Sequence, residues 1–157
     1  MELQEKIRQM KGVLTVNVVN RSCETIATHI WDNLIVNTGY QAAAQALGGY
    51  ISGDATIVKI GMGINAAPPT MADTLLVNHF TKSFTSVEYP APVVQSDGTV
   101  IYSVQFNFTI DFLEAVGMVI YEWGLLTQDG RLFSRLTRAP IEKTNEMQLV
   151  GHWQINI

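Results

Sequence analysis

Apolar and polar residues alternate along two stretches in the middle of the chain, residues 80–89 and 100–110. In the second stretch, Tyr102, Val104, Phe106 and Phe108 alternate with Ile101, Ser103, Gln105 and Asn107. Successive side chains of a β-strand point to opposite faces, so this pattern predicts a strand whose aromatic face meets a core.

Seven further stretches have the β-branched and aromatic content of strands. They cover residues 13–20, 25–31, 34–36, 55–60, 116–126, 132–138 and 147–157. Short strands separated by turn signals, with little helical periodicity, predict a mainly β fold. We expect an antiparallel β-sandwich of jelly-roll type with one or two short helices.

One helix is predicted after residue 36. Thr38 and Gln41 have the spacing of a capping box, and Gly48-Gly49 provides a stop. Four residues share its apolar face: Tyr40, Ala43, Ala44 and Leu47. Small alanine side chains permit close packing of this helix on a sheet.

The first residues have a different pattern, because Leu3, Ile7 and Met10 fall on one side of a helix. The chain therefore divides into an amphipathic docking helix over residues 1–12 and a single β-sandwich domain over residues 13–157. Such a short helix is marginal in isolation, so we expect it to pack against another subunit. Packing on its own domain is the alternative.

Composition excludes several classes of function. The 157 residues carry a net charge of −4, and only 15% are charged, which argues against a nucleic-acid binder. Charged residues interrupt the N-terminus, and no apolar run reaches the ~18 residues of a membrane span, so neither a signal peptide nor membrane insertion is expected. The single cysteine, Cys23, excludes an intrachain disulfide.

Motifs for catalysis or cofactor binding are incomplete. Gly61-x-Gly63 follows a strand, but Pro68-Pro69 prevents a phosphate-binding helix from starting there. The three histidines, His29, His79 and His152, are far apart in sequence, which argues against a metal site. Two carboxylate pairs are assigned to exposed turns or loops: Asp111 with Glu114, and Glu142 with Glu146 on either side of Lys143. We therefore expect no cofactor, no metal and no enzymatic activity.

The segment after Gly61 and Gly63 predicts an ordered connection. Its glycines allow positive φ and its proline pair stiffens the chain. We expect its backbone to approach another strand closely. Thr70 and Asp73 have the spacing of a cap for a short helical turn over residues 71–77.

A β-hairpin is predicted around Asp129-Gly130, a dipeptide that favours a two-residue type I′ turn. Counting back from a pair between Gln128 and Arg131 places Glu122 opposite Thr137.

Arg135 then becomes the diagonal neighbour of Glu122 on the same face. That face also carries Ile120 and Leu126, so we predict a part-buried ion pair between Glu122 and Arg135. The alternative role for Glu122 is general acid catalysis, but its strand holds no second carboxylate.

Residues 33–157 resemble a widespread family of virion proteins from tailed bacteriophages. The resemblance lies in the order of these motifs: Asn33-Leu-Ile-Val-Asn-Thr-Gly39, Ile60-Gly-Met-Gly63, Pro69, Asp73-Thr-Leu75, Glu122-x-Gly-Leu125, Gly130, Arg135, Pro140-Ile141, Lys143 and a last apolar strand. Asn78 and Trp123 depart from the family pattern, where an acidic and a small residue are common.

The resemblance implies a small β-sandwich module of a tail fibre, a baseplate or neck attachment, or a head decoration. Its partners would be copies of itself, as a homo-oligomer and possibly a trimer, and other virion proteins. Its location would be the virion, after assembly in the host cytoplasm.

A carbohydrate-binding adhesin is the alternative of a different class. Exposed aromatic side chains stack on sugar rings, and Trp31, Tyr50 and Tyr89 are the candidates for binding a host-surface glycan.

Overall fold

The computed structural model describes residues 9–49 and 54–157. Its elements in chain order are β1 (Lys11–Asn20), β2 (Thr25–Ile35), α1 (Asn37–Leu47), β3 (Ile57–Gly63), β4 (Phe80–Ser83), β5 (Ser86–Glu88), β6 (Val93–Val94), β7 (Val100–Ile101), β8 (Ser103–Ile110), β9 (Val119–Thr127), β10 (Leu132–Glu142) and β11 (Met147–Asn156). The prediction of a mainly β fold is confirmed.

Nine strands form one curled antiparallel sheet in the order β4-β3-β9-β10-β2-β1-β11-β8-β5, and β6 and β7 form a separate ribbon. Strand β2 pairs with β1 along most of its length, but Leu34 and Ile35 at its end pair with β10. Strands β4 and β5 are almost consecutive in the chain, yet they pair with β3 and β8 near opposite ends of the sheet. The sheet is therefore curled and antiparallel, and the jelly-roll sandwich stays a prediction.

The main core fills the inside of the curl. Alternate residues of β1, Leu14, Val16 and Val18, are buried there. Phe106 and Phe108 of β8 are also buried, as their alternation predicted. The Phe108 ring lies 6.3 Å from the Trp123 ring of β9, so side chains from distant strands meet inside the curl.

Strands β9 and β10 are buried on both faces over much of their length. One face meets the main core. Against the other face, Leu76 forms a second apolar cluster with Val36, Leu126 and Leu132. Leu76 belongs to the connection between β3 and β4, residues 64–79, which we call the covering loop.

The capping box predicted for α1 is wrong. The N-cap is Val36, with no side-chain cap hydrogen bond. Thr38 Oγ1 instead donates to the carbonyl oxygen of Leu132 at 2.5 Å, and Gln41 is exposed. Backbone acceptors replace the side-chain cap, because Gly39 N donates to Val36 O and Asn37 N donates to Met71 O, both at 2.9 Å.

Close contact of α1 with the sheet depends on Gly39 as well as on Ala42 and Ala43, which pack in or against the main core. A Cβ at Gly39 would lie 2.0 Å from the carbonyl oxygen of Phe133. Ala42 is buried, whereas Ala44 and Leu47, predicted on the apolar face, are exposed. The predicted stop is confirmed, since α1 ends at Leu47 and Gly49 has a φ of 69°.

The N-terminal helix cannot extend to residue 12, because Lys11 and Gly12 belong to β1. Leu3 and Ile7 lie outside the described residues. Met10, the third member of the predicted interface, packs partly buried against the main core of its own domain. In the described ranges, no helix has the length and apolar character needed to cross a bilayer.

Candidate functional site: the ion pairs beneath the covering loop

The hairpin joining β9 and β10 differs from the predicted two-residue turn. Thr127 N donates to Arg131 O at 3.0 Å, which leaves a three-residue loop between them. Gly130 has a φ of 85° and Asp129 does not have a positive φ, so the turn is not type I′. The Asp129 carboxylate closes the loop, since its Oδ2 lies 2.9 Å from Arg131 Nε.

The predicted register at Glu122 is nevertheless confirmed. Leu126 pairs with Leu132, one position away from the predicted partner, and an irregularity between Leu132 and Ser134 then restores the count. Glu122 therefore lies opposite Thr137. Two deviations of one residue cancel, so the pairing is right although the turn was wrong.

The ion pair between Glu122 and Arg135 is present and fully buried rather than part-buried. Arg135 Nε donates to Glu122 Oε2 at 2.7 Å. The exposed fraction of the two side chains is 2% for Arg135 and 0% for Glu122. Because an unpaired buried charge costs several kcal/mol, each group requires the other.

The other nitrogens of Arg135 hold the covering loop. Nη1 donates to Asp73 Oδ2 at 2.7 Å. Nη2 donates to the carbonyl oxygen of Ala67 at 3.1 Å, and longer contacts of 3.5 Å reach Asn65 O and Pro68 O. A planar guanidinium with a fork of donors can hold several acceptors at once.

Glu122 fixes both ends of the covering loop. Its Oε1 accepts hydrogen bonds from Val77 N at 2.7 Å and from Asn65 N at 3.3 Å. The loop ends also meet directly, because Ile64 N donates to Val77 O at 3.1 Å. A surface loop whose ends lie close together is an Ω-loop, and here a single buried carboxylate joins its two ends.

Asp73 pairs with Thr70, at the spacing that the sequence indicated, but it closes the turn of residues 70–73 and does not cap a turn that follows. Its carboxylate accepts hydrogen bonds from Thr70 N at 2.9 Å and Thr70 Oγ1 at 2.8 Å. Partial burial opposes ionisation of Asp73, but the hydrogen bonds from Thr70 and the charge of Arg135 outweigh it, so the pKa of Asp73 lies below its usual value of 3.8. The expected helical turn over residues 71–77 does not form.

Gly61 and Gly63 lie in β3, and neither has positive φ, contrary to the prediction. They are small because other groups approach the strand. A Cβ at Gly63 would lie 2.2 Å from Glu122 Oε1, and one at Gly61 would lie 2.5 Å from a methyl carbon of Leu76. The groups that approach are side chains rather than the backbone of another strand, and the glycines make room for the carboxylate and for the loop.

The network, defined as Asp73, Glu122 and Arg135, directs its polar atoms inward to the protein. All three guanidinium nitrogens of Arg135 and both oxygens of Glu122 have protein partners. The covering loop also exposes apolar side chains. Its exposed large side chains are Ile64, Met71, Leu75 and Val77. This arrangement can hold an apolar surface loop in a fixed conformation.

A second buried cation, Lys143, was predicted in an exposed loop, and that prediction is wrong. Lys143 is fully buried, and its Nζ donates to Phe112 O at 3.2 Å and to Thr144 O at 2.9 Å. Burial lowers the pKa of Lys143, although Glu114 and Asp111 act in the opposite direction. The sequence signal was weak, because its burial depends on a turn thirty residues away.

The remaining candidates do not assemble into a site. Within residues 9–49 and 54–157, no group of three or more His, Cys, Asp or Glu residues could hold a metal ion. The Trp31 ring stacks on His29 at 4.9 Å, whereas Tyr89 is 80% exposed. Tyr50 lies outside the described residues.

Comparisons of the chain with models of known protein families, with curated proteins and with solved structures found no match. The resemblance to bacteriophage virion proteins therefore remains a prediction.

Proposed function

We propose that this chain is a non-enzymatic structural protein of a tailed-phage virion, a β-sandwich module of jelly-roll type. In this proposal it assembles as a homo-oligomer, possibly a trimer, in a tail, neck, fibre or capsid decoration. Its partners are copies of itself and other virion proteins, without nucleic acid or membrane.

The covering loop is the observation that carries this proposal. Four large apolar side chains are exposed on one loop, and Leu75 is the most exposed of them at 63%. Beneath them, the buried network of Asp73, Glu122 and Arg135 fixes the loop from inside. A contact loop that is already ordered loses less conformational entropy on binding, which favours assembly.

Oligomeric mass tests the proposal. We expect light scattering to give a multimer for the natural chain and a smaller species for Leu75→Ser. Ile30→Ser is the matched control, because Ile30 is exposed to a similar extent but lies on β2 and not on the covering loop. A monomer at all concentrations would overturn the homo-oligomer. Loss of assembly in the control alone would place the contact elsewhere.

A glycan-binding adhesin is the second candidate, and the exposed ring of Tyr89 is the observation that favours it. It ranks second because the cavity beside Tyr89 is lined almost entirely by apolar side chains, with Thr56 as a further hydroxyl group. Sugar recognition requires several hydrogen-bonding groups. A screen against bacterial surface glycans tests it, with Tyr89→Ala as the variant that should lose any binding.

A further inference from the structure

A polar pocket of about 250 Å3 lies between the covering loop and the hairpin that joins β9 to β10. The strand register places two of its side chains, because Lys59 lies opposite Leu126 and Gly61 lies opposite Thr81. Directly opposite residues share a face of the sheet. Leu126 clusters with Leu76 of the covering loop, and a Cβ at Gly61 would also meet Leu76. Lys59 and Thr81 therefore lie on the face that the covering loop covers.

Several polar side chains in this pocket have no protein partner. Across residues 9–49 and 54–157, four of the lining side chains make no hydrogen bond and no ion pair. They are Lys59, Thr74, Thr81 and Gln128. Lys82, which follows Thr81 in β4, differs because it pairs with Glu114. The pocket thus presents an ammonium group, two hydroxyl groups and an amide that are free to bind a ligand.

His79, at the end of the covering loop, adds a fifth polar group. Its Nδ1 lies 3.3 Å from the carbonyl oxygen of Leu76. A carbonyl oxygen can only accept a hydrogen bond, so this contact places a proton on Nδ1. In the neutral ring Nε2 is then an acceptor, which suits the hydroxyl group of a ligand.

The lining restricts the class of ligand. Lys59 provides a positive charge, and no carboxylate of the described residues lines the pocket, so an anionic group is favoured. Hydroxyl and amide groups favour a ligand with several hydroxyls. Part of the lining is apolar and fits the C–H face of a sugar ring; it consists of Leu75, Leu76 and Leu126. The volume is below the roughly 300–1,000 Å3 of typical ligand sites, which restricts the ligand to a single sugar unit.

We propose that this pocket binds one unit of an acidic sugar. Lys59 binds the anionic group, a carboxylate or a phosphate, and Thr74, Thr81 and Gln128 bind ring hydroxyls. The proposal depends neither on the virion role nor on the cavity beside Tyr89. Binding here should persist in Tyr89→Ala, which distinguishes the two sites.

Titration of the full chain with three sugars, followed by saturation-transfer NMR, tests the proposal. The sugars are glucuronate, glucose 6-phosphate and the neutral control glucose. A hydrogen bond to a charged group is stronger than one to a neutral group, so the preferred acidic sugar should bind about tenfold more tightly than glucose. The tighter of the two acidic sugars identifies carboxylate or phosphate as the natural anionic group. Equal binding of all three sugars, or no binding of any, would overturn the proposal.

Substitutions of Lys59, which lies outside the covering loop, locate the binding without altering the proposed contact between copies. Lys59→Met should lose the preference for the acidic sugar, and Lys59→Arg should retain it because the positive charge remains. Lys11→Met is the matched control, since Lys11 is an exposed lysine of β1 that does not line the pocket. It should bind as the natural chain does. An unchanged preference in Lys59→Met, or an equal loss in Lys11→Met, would overturn the assignment to this pocket.

Discussion

The two buried cations, Arg135 and Lys143, are held in different ways. Arg135 lies between two carboxylates, with 2.7 Å contacts to Glu122 and Asp73. Lys143 donates to two backbone carbonyl oxygens, and the nearby Glu114 forms its ion pair with Lys82 instead. The charge of Arg135 is thus balanced by two carboxylates, whereas the Lys143 ammonium is stabilised by the dipoles of backbone carbonyl groups.

The fold depends on one of these two buried charges more than on the other. Removing one member of a buried ion pair leaves its partner without compensation, which is strongly destabilising. Removing a buried ammonium that bonds to carbonyl groups relieves its desolvation cost, but it also leaves two carbonyl acceptors without a donor. The two effects on the free energy of unfolding oppose each other. We therefore expect large effects at Arg135 and small effects at Lys143.

The largest effect is expected for Arg135→Met. This variant leaves Glu122 charged and buried, so the free energy of unfolding should fall by about 3–5 kcal/mol. Chemical denaturation measures it. Arg138→Met is the matched control on the same strand, because Arg138 is exposed, and it should change stability by less than about 0.5 kcal/mol. Equal losses for both variants would contradict the dependence on the network.

Glu122→Gln is expected to cost about 2–3 kcal/mol, since it replaces charge-assisted hydrogen bonds with neutral ones. Its effect should depend on Arg135. A double-mutant cycle with Arg135→Met measures this coupling, and the double variant should lose less than the sum of the single losses. Additive losses would show that the two side chains act independently.

Lys143→Met should change stability at neutral pH by about 1 kcal/mol or less. Because the pKa of Lys143 is lowered in the folded protein, the unfolded chain binds more protons between that pKa and 10.5. The stability contributed by Lys143 should therefore rise with pH across that window. Denaturation at several alkaline pH values should show this rise in the natural chain and in Lys59→Met, which changes an exposed lysine, but not in Lys143→Met.

Asp73→Asn should have a comparably small effect, about 1 kcal/mol, because Asp73 is partly exposed and mainly closes a turn. The pKa of Asp73 is lowered, so its contribution is present above pH 3.8 and is lost as the pH falls through the folded value. Acid denaturation should be less steep below pH 3.8 for this variant than for the natural chain. Asp32→Asn, at an exposed position, is the control and should keep the natural slope.

Local patterns predicted much of the fold. The alternation in β8 identified the buried face at Phe106 and Phe108 correctly, although Tyr102, predicted on the same face, lies before the strand and is 61% exposed. The hairpin brought Glu122 to Arg135. Both follow from the period of a strand, which the sequence displays directly. The predicted turn type was wrong, because the loop has three residues rather than two. The register was still right, because an irregularity near Phe133 compensates for the longer loop, and no single residue predicts either feature.

The predictions that failed depended on contacts between distant segments. The sequence around Thr38 is typical of a helix cap, but its hydroxyl donates instead to the carbonyl oxygen of Leu132, which is 94 positions away in the sequence. Lys143 is polar and follows an exposed glutamate, so only the turn that carries Phe112 reveals its burial. Asp73 was predicted as a cap alone, because its contact with Arg135 also spans a long separation.

The brevity of β4 and β5 restricts how copies of this chain can join. These outermost strands of the main sheet have four and three residues, and only residues 84 and 85 separate them. A short, bent edge offers few consecutive backbone hydrogen bonds to an incoming strand, which disfavours growth of the sheet from chain to chain. Polymerisation through a shared backbone ladder, the route to fibrils, is therefore suppressed at these edges. At these two edges association must instead recognise side chains, so its specificity there can be altered one residue at a time.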